Sequence, residues 1–308
     1  MRNAFVQVLA EDKSRSDLVV LTGDLGYRLF DNFAASHPGR FIDAGIAEAN
    51  MVSMAAGLAS GGLHSYCYSI VPFLVCRAME QIRDDVGYND LPVCLLGAGG
   101  GVSYGAEGFT HYGLEDFALM KSVPNMCILA PADSWEAAAC ARLSLTTGHP
   151  LYVRFGRNSE QTIWRGPTDM TLGQSVVMRD GRDVAIIAIG PMVFTALASA
   201  ALLGQDGIQV TVLNVRSLRP LDEQMLLQVL TTHSLVVTLE EHYVTGGLGS
   251  DVLAIAADHQ CGTHVVRAGI PDLLPRISGR PDFLLNAYGL SVERIVKLVI
   301  GILGGANG

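Results

Sequence analysis

Short apolar runs alternate with amphipathic stretches of helical length from Leu18 onward. The runs at 18–22, 40–43, 93–97, 126–130 and 151–155 predict strands. Helical spacing of apolar positions predicts helices over 48–60, 73–86, 114–121 and 134–146 between them. Strands so continuously apolar suit a parallel sheet, which is covered on both faces. The pattern breaks over 156–174 (GRNSEQTIWRGPTDMTLGQ), a polar stretch punctuated by Gly and Pro that reads as a connection between domains. Alternation then resumes, with strands at 184–189, 210–213 and 235–239 and helices over 192–203, 222–230, after Leu248 and over 292–302. The expected class is α/β: two mainly parallel-sheet α/β domains with helices on both faces. The boundaries expected are 1–160 for the first domain, 161–178 for the linker and 179–308 for the second.

Composition narrows the function. Of 308 residues, 49% are hydrophobic, yet no uninterrupted run nears the roughly 20 apolar residues of a membrane span. The surplus is therefore read as deep burial, subunit interfaces included. A net charge of −9 with scattered basic residues argues against nucleic acid, whose phosphates need clustered Lys and Arg. The N-terminal segment lacks the apolar core of a secretion signal. Six cysteines show no zinc spacing and lie mostly in apolar runs, as reduced core residues do. A soluble, cytoplasmic protein with no membrane partner is expected.

Three segments carry candidate chemistry. In 45–51 (GIAEANM), Glu48 stands between a strand end and a helix start in apolar surroundings. There it is either a functional acid or a first-turn residue that complements the helix dipole. In 97–111 (GAGGGVSYGAEGFTH), a Gly-rich loop follows an apolar strand. It lacks the GK[ST] of a P-loop and does not match a dinucleotide fingerprint. Its glycines either deliver Glu107 and His111 to a cleft or form a mobile loop with a surface histidine. In 245–250 (TGGLGS), a strand-to-helix turn reads as tight packing rather than a ligand site.

Taken together, segments across nearly the whole chain resemble the C-terminal half of transketolase. They are 40–51 (RFIDAGIAEANM), 77–83 (RAMEQIR), 108–111 (GFTH), 114–116 (LED), 124–126 (PNM), 131–133 (PAD), 152–157 (YVRFGR) and 216–222 (RSLRPLD), in family order. The resemblance implies a pyrimidine-binding domain followed by a transketolase C-terminal domain. The family's diphosphate-binding domain carries a GDG…N signature, whereas the Gly-Asp at 23–24 lacks a suitably placed Asn and matches a different stretch. The chain thus resembles the second subunit of a split transketolase. The implied cofactor is thiamine diphosphate shared with an N-terminal transketolase subunit, which would bind the Mg2+ or Ca2+, and the implied assembly is α2β2.

By resemblance, Glu48 hydrogen-bonds the aminopyrimidine N1′ and is catalytic. A carboxyl shielded from water suits that role because it can hold or share a proton. The ring would pack on Val71, Phe73 or Leu74, since the family's stacking aromatic falls at Val71 and Phe73 lies two positions on. His111 matches a catalytic, substrate-contacting histidine. Glu107 stands where the family has an Asp for a donor hydroxyl, and one added methylene shifts the carboxylate enough to alter preference. Arg157 and Arg2 match arginines for a substrate phosphate. A family histidine falls at Gly99, removing one phosphate contact. The implied activity moves a two-carbon ketol unit from a ketose, with an unusual sugar or biosynthetic intermediate in view, to an aldehyde. The alternative is the β subunit of a 2-oxo-acid dehydrogenase or decarboxylase, which 241–250 also resembles, or a deoxyxylulose-phosphate synthase-like enzyme. An intact Glu48 and His111 argue against a scaffold that has lost catalysis.

Overall fold

The computed structural model describes residues 1–156 and 161–305. The first half runs α1 (Arg2–Glu11), β1 (Leu18–Thr22), α2 (Asp31–Ser36), β2 (Phe41–Asp43), α3 (Glu48–Ser60), β3 (His64–Ile70), α4 (Val71–Val75) and α5 (Met79–Gln81). It continues through β4 (Val93–Ala98), α6 (Asp116–Lys121), β5 (Cys127–Leu129), α7 (Ser134–Ser144) and β6 (Leu151–Phe155). The second half runs β7 (Val176–Arg179), β8 (Val184–Ala188), α8 (Met192–Gln205), β9 (Val210–Asn214), β10 (Ser217–Arg219), α9 (Glu223–Thr232) and β11 (Leu235–Tyr243). It ends with α10 (Leu248–Asp258), β12 (His264–Ile270), α11 (Pro281–Ala287) and α12 (Val292–Gly305).

Two sheets form, with strand orders β10-β5-β6-β4-β3-β1-β2 and β12-β11-β8-β9-β7. All neighbours are parallel except β10 on β5 and β7 on β9. The class is α/β with helices on both faces, as expected. Side chains alternate across each strand, so Val19 and Leu21 enter one core while Leu18 and Val20 enter another. Ala185 and Ile187 of β8 join the same core as Val19, so one apolar layer spans both sheets. The domains are further stitched by β10, a strand of the second half that hydrogen-bonds into the first sheet.

The structure departs from the sequence expectation in several places, and α1, α2, β7, β10, β12 and α11 are further elements that the pattern did not single out. Strand β3 was not foreseen, yet it lies between β1 and β4 with all seven residues buried. The helix expected over 73–86 is broken into α4, a turn, α5 and a π-helical turn over Ile82–Gly87. Residues 163–164 are tied to the first domain by backbone N–H bonds to Asp133 Oδ2, both 3.0 Å, and Met170 joins its core. Among the described residues no helix is long and apolar enough to cross a membrane.

Candidate active site

The turn after β2 delivers Glu48. Asp43 Oδ1 accepts from the Asp24 and Gly45 amides at 3.0 and 2.9 Å, folding the chain back at the strand end. Gly45 has φ +73°, which only glycine adopts without strain. Glu48 then begins α3 with its carboxylate 1% exposed. Ser69 Oγ from β3 donates to Oε1 at 3.0 Å, and Arg77 Nη1 to Oε2 at 2.5 Å. A carboxylate offers about four lone-pair sites, so acceptor capacity remains beyond these two donors. Arg77 was not singled out from the sequence, although it is the only charged residue between Ser69 and Met79. The interruption between α4 and α5 falls there, and the guanidinium turns to Glu48 instead of continuing a helix.

The three expected packing residues differ in access. Val71 and Leu74 are fully buried. Val71 is wedged so tightly that a Cβ on Gly113 would stand 2.5 Å from its Cγ1. Phe73 is half-buried; the Arg77 guanidinium lies 4.8 Å from its ring centroid and the His111 ring meets its edge at 5.0 Å. Glu48, Arg77, Phe73 and His111 thus form one continuous chain of contacts. A buried carboxylate beside a half-buried aromatic fits the chemistry of an aminopyrimidine, and Phe73 is the candidate with accessible ring surface.

The Gly-rich loop supplies the other side. Two short 3-10 turns, Gly105–Glu107 and Phe109–His111, flank Gly108, whose φ of +82° sets the bend. Glu107 is exposed and His111 half-buried, with His111 Nδ1 3.0 Å from Thr110 Oγ1. Tyr104 lies 6.1 Å from the His111 ring and packs on Gly99, where a Cβ would fall 2.0 Å from its Cε2. The position that lacks the family histidine is therefore filled by a tyrosine ring. Arg2, at the start of α1, donates from Nη1 to Tyr68 Oη at 2.8 Å and also hydrogen-bonds Tyr104. Arg157 lies outside the described residues.

Behind the loop sits a buried charge cluster that the sequence did not announce. Asp116 Oδ2 accepts from Tyr152 Oη at 2.6 Å and pairs with Arg154 Nε at 2.8 Å. Arg154 Nη2 also donates to the Gly113 and Glu241 carbonyls at 2.7 and 2.8 Å, and its guanidinium lies 4.4 Å from the Phe117 ring centroid. Burial pushes the Glu241 carboxyl up to about 7 against the pull of Arg154. Next to it, burial pushes His242 down to about 4, which keeps the imidazole neutral where it stacks on Phe117. The 245–250 turn is packing, as read from sequence. The Leu248 and Gly249 amides donate to Glu240 at 2.7 and 2.8 Å, and a Cβ on Gly247 would overlap that carboxylate.

Comparison with known proteins bears on the chain's family and fold. The family model "Transketolase, pyrimidine binding domain" matches residues 1–161, and "Transketolase, C-terminal domain" matches 173–295. The 6-deoxy-6-sulfo-D-fructose transketolase subunit SqwH of Clostridium sp. (strain MSTE9) is 34% identical over 96% of this chain and 92% of its own. The 1-deoxy-D-xylulose-5-phosphate synthase of Symbiobacterium thermophilum is 36% identical over 88% of this chain, which spans 42% of that longer protein. A split-gene transketolase solved as an inactive β4 tetramer superposes with a TM-score of 0.86 at 32% identity, over 96% of this chain and 95% of that one.

Proposed function

This chain belongs to the transketolase family, and we propose that it is the C-terminal subunit of a split thiamine diphosphate enzyme. The enzyme transfers a two-carbon ketol unit from a ketose to an aldehyde. The single observation that carries the proposal is Glu48, a carboxylate 1% exposed at a helix start and held by Ser69 and Arg77. When bound, thiamine diphosphate would supply a nucleophilic carbon and, beside it, a cationic ring able to take up the electron pair released as a carbon–carbon bond breaks. Glu48 holds a proton at the ring nitrogen N1′, and its burial keeps water from competing for it. Phe73 offers an apolar face that orients the ring, with Val71 and Leu74 as the support beneath. His111 places an imidazole where it can exchange a proton with a donor hydroxyl near the reacting carbon. Glu107 reads a second donor hydroxyl, and Arg2 and Arg157 bind an anionic tail.

The partner is an N-terminal transketolase subunit carrying the diphosphate site and its Mg2+ or Ca2+, in an α2β2 assembly. Near-complete coverage of a subunit-length relative supports a two-chain enzyme. So does Ile46, two residues before Glu48 and 75% exposed, which leaves apolar surface beside the site for another chain. The Tyr104 ring at Gly99 and the longer Glu107 support a donor other than a common sugar phosphate. A screen of ketose donors with the assembled enzyme tests the reading. Ketol transfer abolished by Glu48→Gln is expected. Carbon dioxide release from a 2-oxo acid without ketose turnover would move the chain to the decarboxylating class.

A further inference from the structure

The loop that carries Glu107 and His111 is closed at its base into a ring. The Gly101 amide donates to the Gly113 carbonyl at 2.7 Å, and the Gly113 amide donates back at 2.9 Å. The Gly99 and Gly100 amides both donate to the Phe155 carbonyl, at 2.8 and 2.9 Å. Beyond this girdle the first free amide is that of Val102, and its partner comes from the other domain: Glu241 Oε1 of β11, at 2.7 Å. The same β11 residue accepts from Arg154 Nη2 through its carbonyl, and that nitrogen also holds the Gly113 carbonyl. One residue of the second sheet therefore holds one side of the loop's neck directly and the other through Arg154. The fit leaves no room for a side chain beneath it, since a Cβ on Gly101 would stand 2.2 Å from Glu241 Cδ. The tip is held from the same domain, where Tyr112 Oη donates to the Ile277 carbonyl at 3.0 Å and the Gly279 amide to the Gly105 carbonyl at 3.0 Å.

We infer that Glu241 is a positioning residue: its carboxylate pins the neck of the substrate loop and so sets where His111 and Glu107 stand toward the donor. Among the described residues, no group of the second domain hydrogen-bonds this carboxylate. Its neighbour Glu240 already caps α10. A buried carboxylate is costly unless bonded, and the bond it makes is to the loop. The acceptor oxygen does the holding, so an amide oxygen at the same place would serve.

Two readouts test this, and only the kinetic one rests on the ketol-transfer reading. In the full chain, amide hydrogen exchange over 101–113 is expected to quicken at least about tenfold in Glu241→Leu, which loses the acceptor. It should stay near wild type in Glu241→Gln, with β1 and β8 unchanged in both. Should Glu241→Leu fail to fold, Gly101→Ala, whose methyl meets Glu241 Cδ, is expected to give the same confined acceleration. In the assembled enzyme, Glu241→Leu is expected to raise the donor KM about tenfold or more, with thiamine diphosphate affinity unchanged. A His111→Ala, Glu241→Leu double variant should lose clearly less than the two single losses combined. Exchange that quickens equally in β1 and β8, or not at all in the loop, would overturn the assignment, as would additive losses in the double variant. An assembled wild-type enzyme without ketol transfer would sink the functional reading and leave the loop to be decided by exchange.

Discussion

Replacing Arg154 by Met tests whether the buried cluster is a structural joint of the whole chain. The guanidinium is 5% exposed and Asp116 1%, so neither charge is screened by water. Methionine matches the stem but removes the charge, the Asp116 pair and the donors to the Gly113 and Glu241 carbonyls. Breaking a buried pair from one side costs roughly 3–5 kcal/mol, because the remaining charge is left without compensation. Against a total stability on the order of 5–15 kcal/mol, that moves the urea midpoint of the full chain far toward zero. Arg154→Lys should recover only part, since one ammonium cannot reproduce the planar fork. Adding Asp116→Asn to Arg154→Met should also recover part of the loss, because the stranded charge is gone. The assay is urea denaturation followed by circular dichroism for the four chains. A loss under about 1 kcal/mol in Arg154→Met, within reach of an exposed pair, would refute the reasoning.

Other outcomes follow from the same contacts. Gly99→Ala would set a methyl 2.0 Å from the Tyr104 ring at a φ of +77°, so it should cost about 1–3 kcal/mol, with part restored by adding Tyr104→Ala. Thermal melts of the three chains check this. Phe73→Ala is expected to weaken thiamine diphosphate binding in the assembled enzyme by about 1 kcal/mol or more with little effect on folding, whereas Leu74→Ala should cost about 2–5 kcal/mol of stability. Calorimetry and denaturation separate the two. Burial pushes Glu240, like Glu241, up to about 7 from an ordinary 4.5. The folded chain therefore binds these protons more tightly than the unfolded one. Their contribution is fully present below about pH 4.5 and declines as pH rises to 7. The stability of wild type relative to Glu241→Gln should fall by roughly 3 kcal/mol across that window, and a gap that widens with pH would contradict the sign.

Apolar runs revealed β1, β4 and β6 because each is buried on both faces and needs no polar side chain. Strand β3 (HSYCYSI) is just as buried but hides the fact, since the Tyr66, Tyr68 and Ser69 hydroxyls find partners inside the fold in Ser144, Arg2 and Glu48. The pairing of β10 with β5 joins residues nearly 90 apart, and no local pattern encodes it. Motif order singled out Glu48 and His111 and left the packing residue open among Val71, Phe73 and Leu74; the structure sets Glu48, Phe73 and His111 in one line of contacts through Arg77. Arg77 and Glu241 were not, because their importance lies in what they touch, 29 and 139 residues away. The glycines told more than expected: Gly99, Gly101 and Gly113 each mark a close approach that only the fold explains.

The central claim is that Glu48 serves a cofactor completed by a second chain. It is tested most directly by calorimetric titration with thiamine diphosphate and Mg2+ of this chain alone, of its mixture with the diphosphate-binding partner, and of the mixture carrying Glu48→Gln. The account predicts heat of binding only in the mixtures, and ketol transfer that falls at least about a hundredfold in Glu48→Gln. Tight binding by this chain alone, or full transfer activity in Glu48→Gln, would contradict it.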